Sequence, residues 1–121
     1  MTQEEKNLLH KDLCSRLPYG VHVQHRHFSE PLQLTSMHLL ELGSVESIDA
    51  TLEDVKPYLF PLSSMTEEQC KVYHELVSGM FETSVLINFD VLTDFFNANH
   101  LDYRGLIPMG LAVNATGLNI Y

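Results

Sequence analysis

Four histidines lie early in the chain, at His22, His25, His27 and His38, and they are its best metal candidates. Zinc takes three or four N, S or O ligands in a tetrahedral array. On a strand His25 and His27 share one face and His22 lies on the other. If the first two strands pair as a hairpin, His38 faces His27 or His25. No cysteine or acid stands at ligand spacing beside them, so a polar, histidine-rich half-strand is the preferred reading and no metal or other cofactor is expected. Cys14 and Cys70 stand far apart in helical contexts and match neither a zinc pattern nor a disulfide framework. Either could act as a nucleophile beside a histidine and an acid, yet nothing in the sequence places such groups together. Nucleophile elbows, phosphate-binding loops and dinucleotide fingerprints are absent from the sequence. The reading is therefore a non-enzymatic interaction or accessory protein. Its alternative is a small hydrolase or metal-dependent enzyme built on those histidines or a cysteine.

Asp102, Tyr103 and Arg104 are the residues singled out for partner binding, because Tyr and Arg are enriched at interface hot spots. They also have a structural reading. Arg104 then caps helix-end carbonyls or pairs with Asp102, and Tyr103 buries its ring with its hydroxyl bonded. They stand in the stretch from His100 to Val113, which combines two glycines, a proline and several large apolar residues. A solvated tail is poor in such groups, so the segment is expected to dock on the core, with Leu101, Leu106, Ile107, Met109 and Leu111 inward.

The elements that must position these residues follow from capping and periodicity. Thr2-x-x-Glu5 is a capping box, and Leu9, Leu13 and Leu17 recur every four residues. A helix from about Gln3 to near Arg16 follows, with Pro18 limiting it. Val21 to Phe28 alternates as a strand, Leu32 to Leu42 reads as a second and Val45 to Ala50 as a short third. Leu52 to Lys56 reads as one helical turn, and Pro57 and Pro61 bracket a stiff connector. Thr66-x-x-Gln69 is a second capping box, starting a helix that Gly79 stops. Phe81 to Phe89 fits strand or helix, and a helix is expected from about Phe89 to Ala98. Leu118 to Tyr121 reads as a last edge strand. The expected fold is a single α+β domain over residues 1–121, a small antiparallel meander packed with about three helices.

Sixteen acids against seven bases give a formal charge of −9 over 121 residues. Phosphate backbones and anionic membranes are bound through Lys and Arg, so nucleic acid and membrane surfaces are not expected partners. A basic protein partner is. Acids run through the middle of the chain at Glu41, Glu46, Asp49, Glu53 and Asp54 and read first as a solvated face. With no apolar leader and no run of about 20 apolar residues, the expected location is cytoplasmic.

Three blocks carry a resemblance: Asp12 to Val21, Val55 to Glu68 and Asn97 to Ile107. Together they resemble a family of small uncharacterised proteins of gut Bacteroides-type bacteria, often found in prophage or mobile-element surroundings. The chain departs from that pattern at Phe60, where Arg is usual, and at Phe95, where Trp is usual. The resemblance implies a cytosolic accessory protein and assigns no activity.

Overall fold

The computed structural model describes residues 2–26, 28–34, 54–80 and 85–121. Helix α1 spans Gln3–Arg16. Its capping box is formed: the Glu5 amide donates to Thr2 Oγ1 at 3.1 Å, and the Thr2 amide donates to Glu5 Oε1 at 3.1 Å. Each bond satisfies an amide that the first helical turn would otherwise leave without a partner. Pro18 sits in a short 3-10 turn over Leu17–Tyr19, and Gly20 follows with φ 72. That left-handed backbone suits glycine and turns the chain into the sheet.

Strand β1 is His22–His25, β2 is Leu32–Gln33 and β3 is Val55–Leu59. Strand β4 is Val113–Asn114, and the order across the sheet is β2-β1-β3-β4. β1 pairs antiparallel with both β2 and β3, whereas β3 pairs parallel with β4. The fold is α+β as expected, but the sheet is mixed and not a pure antiparallel meander. A parallel bridge from Phe60 to Leu101 extends the β3 side.

Val55–Leu59 corrects two expectations, the helical turn ending at Lys56 and the connector after Pro57. Pro57 is tolerated in the strand because its nitrogen owes no hydrogen bond to β1. The Arg26 amide donates to the Asp54 carbonyl at 2.9 Å, which makes 26/54 a hydrogen-bonded pair. Antiparallel ladders alternate, so Val23 opposite Pro57 is a non-hydrogen-bonded pair and the Pro57 nitrogen points to the other side. There β4 begins to pair only at Tyr58.

Helix α2 spans Glu67–Met80 and continues past Gly79; helix α3 spans Val85–Ala98 and begins earlier than expected. The second capping box is formed too, with the Gln69 amide donating to Thr66 Oγ1 at 3.1 Å. Expectations for residues 35–53, for His27 and for residues 81–84 lie outside the described residues.

Leu9 and Leu13 of α1 cover the sheet face carrying Val23, Val55 and Leu59. The late stretch supplies Leu106, Leu111 and Ala112 to the same cluster. Each fully buried leucine contributes roughly 1.5–3 kcal/mol. Leu101 is buried as well, but Met109 stays 45% exposed, against expectation. Gly105 and Gly110 both take positive φ, so the stretch reverses twice and returns as β4. Residues 118–121 form no strand. Instead the Tyr121 ring stacks on His100 at 3.6 Å, and its hydroxyl donates to the Tyr58 carbonyl at 2.8 Å.

Candidate functional site

Helix spacing places Asp12 and Arg16 on the same face as Leu9 and Leu13, and both are fully buried. Arg16 Nε donates to Asp12 Oδ2 at 2.8 Å, and Arg16 Nη2 donates to the Leu101 carbonyl at 2.7 Å. Arg104 Nη1 donates to the other Asp12 oxygen at 2.7 Å and to Ser15 Oγ at 3.1 Å. Asp12 therefore ties α1 to the late stretch through two guanidiniums. The Tyr103 ring lies against both cations, 4.5 Å from Arg104 Cζ and 5.2 Å from Arg16 Cζ. It also stacks on Phe96 of α3 at 5.1 Å, but its hydroxyl is buried without a hydrogen-bond partner among the described residues, against the structural reading of the sequence. Cation–π contacts of this kind add to packing where the charges are desolvated.

Asp102 is buried, and its carboxylate accepts from the Leu106 amide at 2.8 Å and the Ile107 amide at 2.9 Å. Arg104 pairs with Asp12 of α1, not with Asp102 as the structural reading of the sequence had it. The Asp102-Tyr103-Arg104 run thus divides between a backbone clamp, a stacked ring and an ion pair. Tyr103 and Arg104 keep part of their surface open. Asp12 and Arg16 were missed in the sequence as members of this group. Their signal was the spacing 9, 12, 13, 16, one helix face with opposite charges one turn apart.

His22 Nδ1–H donates to the Gly20 carbonyl at 3.0 Å, and the ring stands edge-on to Tyr121. An acceptor carbonyl there selects the tautomer with the proton on Nδ1. The His25 ring packs against Phe28 at 5.1 Å. Among the described residues no three His, Cys, Asp or Glu side chains are grouped to hold a metal ion. His27 and His38 fall outside those residues. Cys14 Sγ lies 3.9 Å from the ring nitrogens of His10 on the exposed side of α1, and Cys70 is half-buried on α2. The two cysteines therefore belong to different helices.

His100 has φ 57, and burial, then the Arg16 cation, then His22 hold its imidazole well below the usual histidine range, at about 4. Tyr121, stacked on it, is pushed up to about 12, chiefly by burial. Both groups are neutral near pH 7, and the stack is a packing contact joining α3's exit to β1 and β3.

The open feature lies on the other side of α3. Gln69 Nε2 at the start of α2 donates to Asn99 Oδ1 at the end of α3, at 3.1 Å, so the two helices run antiparallel. Tyr73 and Phe96 pack between them, with centroids 6.0 Å apart. Outside that seam lies a solvent-open groove of about 470 Å³, lined by Thr66, Glu68, Gln69, Val72, Phe95 and Asn99. Val72 is 37% exposed, and Val91, one turn before Phe95 on the same face of α3, is 43% exposed. Glu67, Glu68 and Glu75 stand on α2 and Asp90 and Asp94 on α3, with Lys71 as the one Lys or Arg of the two helices; Glu68 lines the groove, and Asp94 accepts from the Tyr19 hydroxyl at 3.0 Å.

No helix among the described residues is long and apolar enough to cross a membrane. Set against protein-family models, curated proteins and solved structures, the chain gives no match.

Proposed function

We propose that the chain is a small cytoplasmic accessory protein that works by binding another protein and not by catalysis. The observation that carries this reading is the α2–α3 groove. Val72 leaves more than a third of its surface in water on the α2 wall, Phe95 lines the α3 wall, and Val91 one turn before Phe95 is exposed as well, although both helices have an inner seam for apolar groups. Adjacent exposed apolar side chains with a polar rim are the usual mark of an interaction site. The polar side chains that form a buried cluster, Asp12, Arg16, Asp102 and Arg104, bond one another or the backbone. The resemblance to proteins of prophage and mobile-element surroundings agrees with an accessory role.

The test is site-specific photocrosslinking in the cells that carry the protein. A photoreactive residue at position 72 is expected to yield a discrete heavier adduct, and one at the exposed Lys11 on α1 is not. Equal yields at the two positions, or no adduct at 72, would remove the reading.

A further inference from the structure

We propose that the α2–α3 groove takes an amphipathic helix of a partner protein, with basic residues flanking its apolar stripe. This rests on the reading of the chain as an interaction module and names the occupant of its groove. Three observations select that occupant. The groove is open to solvent: Val72 and Phe95 are the apolar members of a lining that also holds Thr66, Glu68, Gln69 and Asn99 around about 470 Å³. A groove of this form accepts successive side chains from one face of a helix more readily than it encloses a small molecule. Secondly, the groove follows residues 66–72 at the start of α2 and 95–99 at the end of α3, so one to two turns of a partner helix can lie in it. The Val91–Phe95 stripe on α3 matches the spacing at which such a helix presents its anchors.

The third observation is charge. Five acids and one lysine stand on the two helices. Glu68 lines the groove itself, and Glu75 lies one turn beyond Val72. Lys71 is within one turn of Glu68 and Glu75, and one cation leaves the wall acidic. Basic groups beside the partner's stripe would meet Glu68 and Glu75 across the rim, which raises encounter rate and fixes orientation. A second copy of this chain would bring the same acids, at a net charge of −9, against them. Like charges brought face to face oppose that pairing.

The probe is a synthetic helix of about 14 residues with leucines at i, i+4, i+7 and i+11 and lysines beside them. A matched peptide carries glutamates in place of the lysines. Each is titrated into the full, isotope-labelled chain and followed by amide chemical shifts at low and high salt. The lysine peptide is expected to shift the amides of 68–72 and 91–99, and to weaken about tenfold as salt rises through the screening range. Val72→Asn and Glu68→Gln should each weaken it at least about threefold while leaving the melting curve in place, since both positions are partly exposed. Binding of the glutamate peptide with equal strength overturns the proposal. So do shifts centred elsewhere, indifference to both substitutions, or concentration-dependent pairing of the chain with itself through these helices. If position 72 crosslinks to a protein while the lysine peptide fails, the occupant is wrong and the interaction reading stands. If the peptide binds the groove while no crosslink forms, the occupant's chemistry stands and the interaction reading falls.

Discussion

Replacing Asp12 with alanine should be among the most damaging single changes to the fold. The carboxylate is fully buried and answers two cations, Arg16 at 2.8 Å and Arg104 at 2.7 Å. Arg16 is itself wholly inside, so it cannot turn to water when its partner is removed. Breaking one side of a buried pair costs about 3–5 kcal/mol, most of it the desolvated charge left behind. Arg104 retains 15% side-chain exposure and can rehydrate, so its share adds about 1 kcal/mol at most. Against a net stability of about 5–15 kcal/mol for a domain, a loss of about 4 kcal/mol is a large fraction. It corresponds to a fall in Tm of about 16 °C at about 4 °C per kcal/mol. Urea unfolding followed by circular dichroism measures it, with the slope m required to stay constant. Arg104→Ala alone should cost about 1–3 kcal/mol, because it leaves one Asp12 oxygen without its donor. On the Asp12→Ala background the same change should cost much less, a coupling of about 1–2 kcal/mol. An Asp12→Ala chain within about 1 kcal/mol of the parent, with unchanged m, would show that the buried network does not hold α1 to the late stretch.

Asp102→Ala should destabilise by about 2–3 kcal/mol, because it removes the acceptor for the Leu106 and Ile107 amides together; urea unfolding reads this, and a change under about 0.5 kcal/mol would refute the clamp. His100 gives a pH dependence of definite sign: its folded pKa of about 4 lies below the unfolded 6.5, so the unfolded chain binds more protons between these values. Its contribution is complete above about pH 6.5 and lost as pH falls toward 4, a slope worth about 1–2 kcal/mol once partial exposure is allowed for, and His100→Gln should flatten it in chemical denaturation at stepped pH.

The helix starts were legible because a capping box is local. Thr2 with Glu5 and Thr66 with Gln69 each need four residues and no tertiary partner, and both formed as read. The docking of the late stretch was legible from its apolar content, and Leu101, Leu106 and Leu111 are inside. Met109 failed that reading because apolar content says that a segment docks, not which of its residues face inward. β3 was hidden by Pro57, which reads as a breaker unless the pairing register is known. The parallel partner β4 was equally hidden, since it comes from a stretch more than fifty residues later that only tertiary structure brings alongside. In α1 the leucine stripe was seen, while Arg16 counted only as a cation near the helix end and Asp12 was given no role. A charged residue on an apolar face looks like an error in the pattern until its partners, here Arg104 and the Leu101 carbonyl, arrive from the far end of the chain. The groove had no local signal at all, because it exists only where α2 and α3 lie side by side.

The buried network also bears on where a partner can dock. It takes in two of the chain's seven bases, Arg16 and Arg104, and two of its sixteen acids, Asp12 and Asp102. Five bases and fourteen acids remain outside it, so the −9 balance belongs entirely to the rest of the molecule. Of the two arginines inside it, Arg16 is fully buried and Arg104 holds a carboxylate and a hydroxyl of α1. A partner that engaged Arg104 would have to compete with Asp12, at the cost of the tie that docks the late stretch. No such conflict arises at the α2–α3 groove. Val72 and Val91 are already in water, and Glu68 and Glu75 lie on the exposed side of α2. Covering them with an apolar, basic surface would remove exposed hydrocarbon and answer negative charge without breaking any bond that holds the core. Under the proposed reading, stability rests on contacts such as the Tyr103–Phe96 stack, and recognition on the groove that Val72 and Phe95 line.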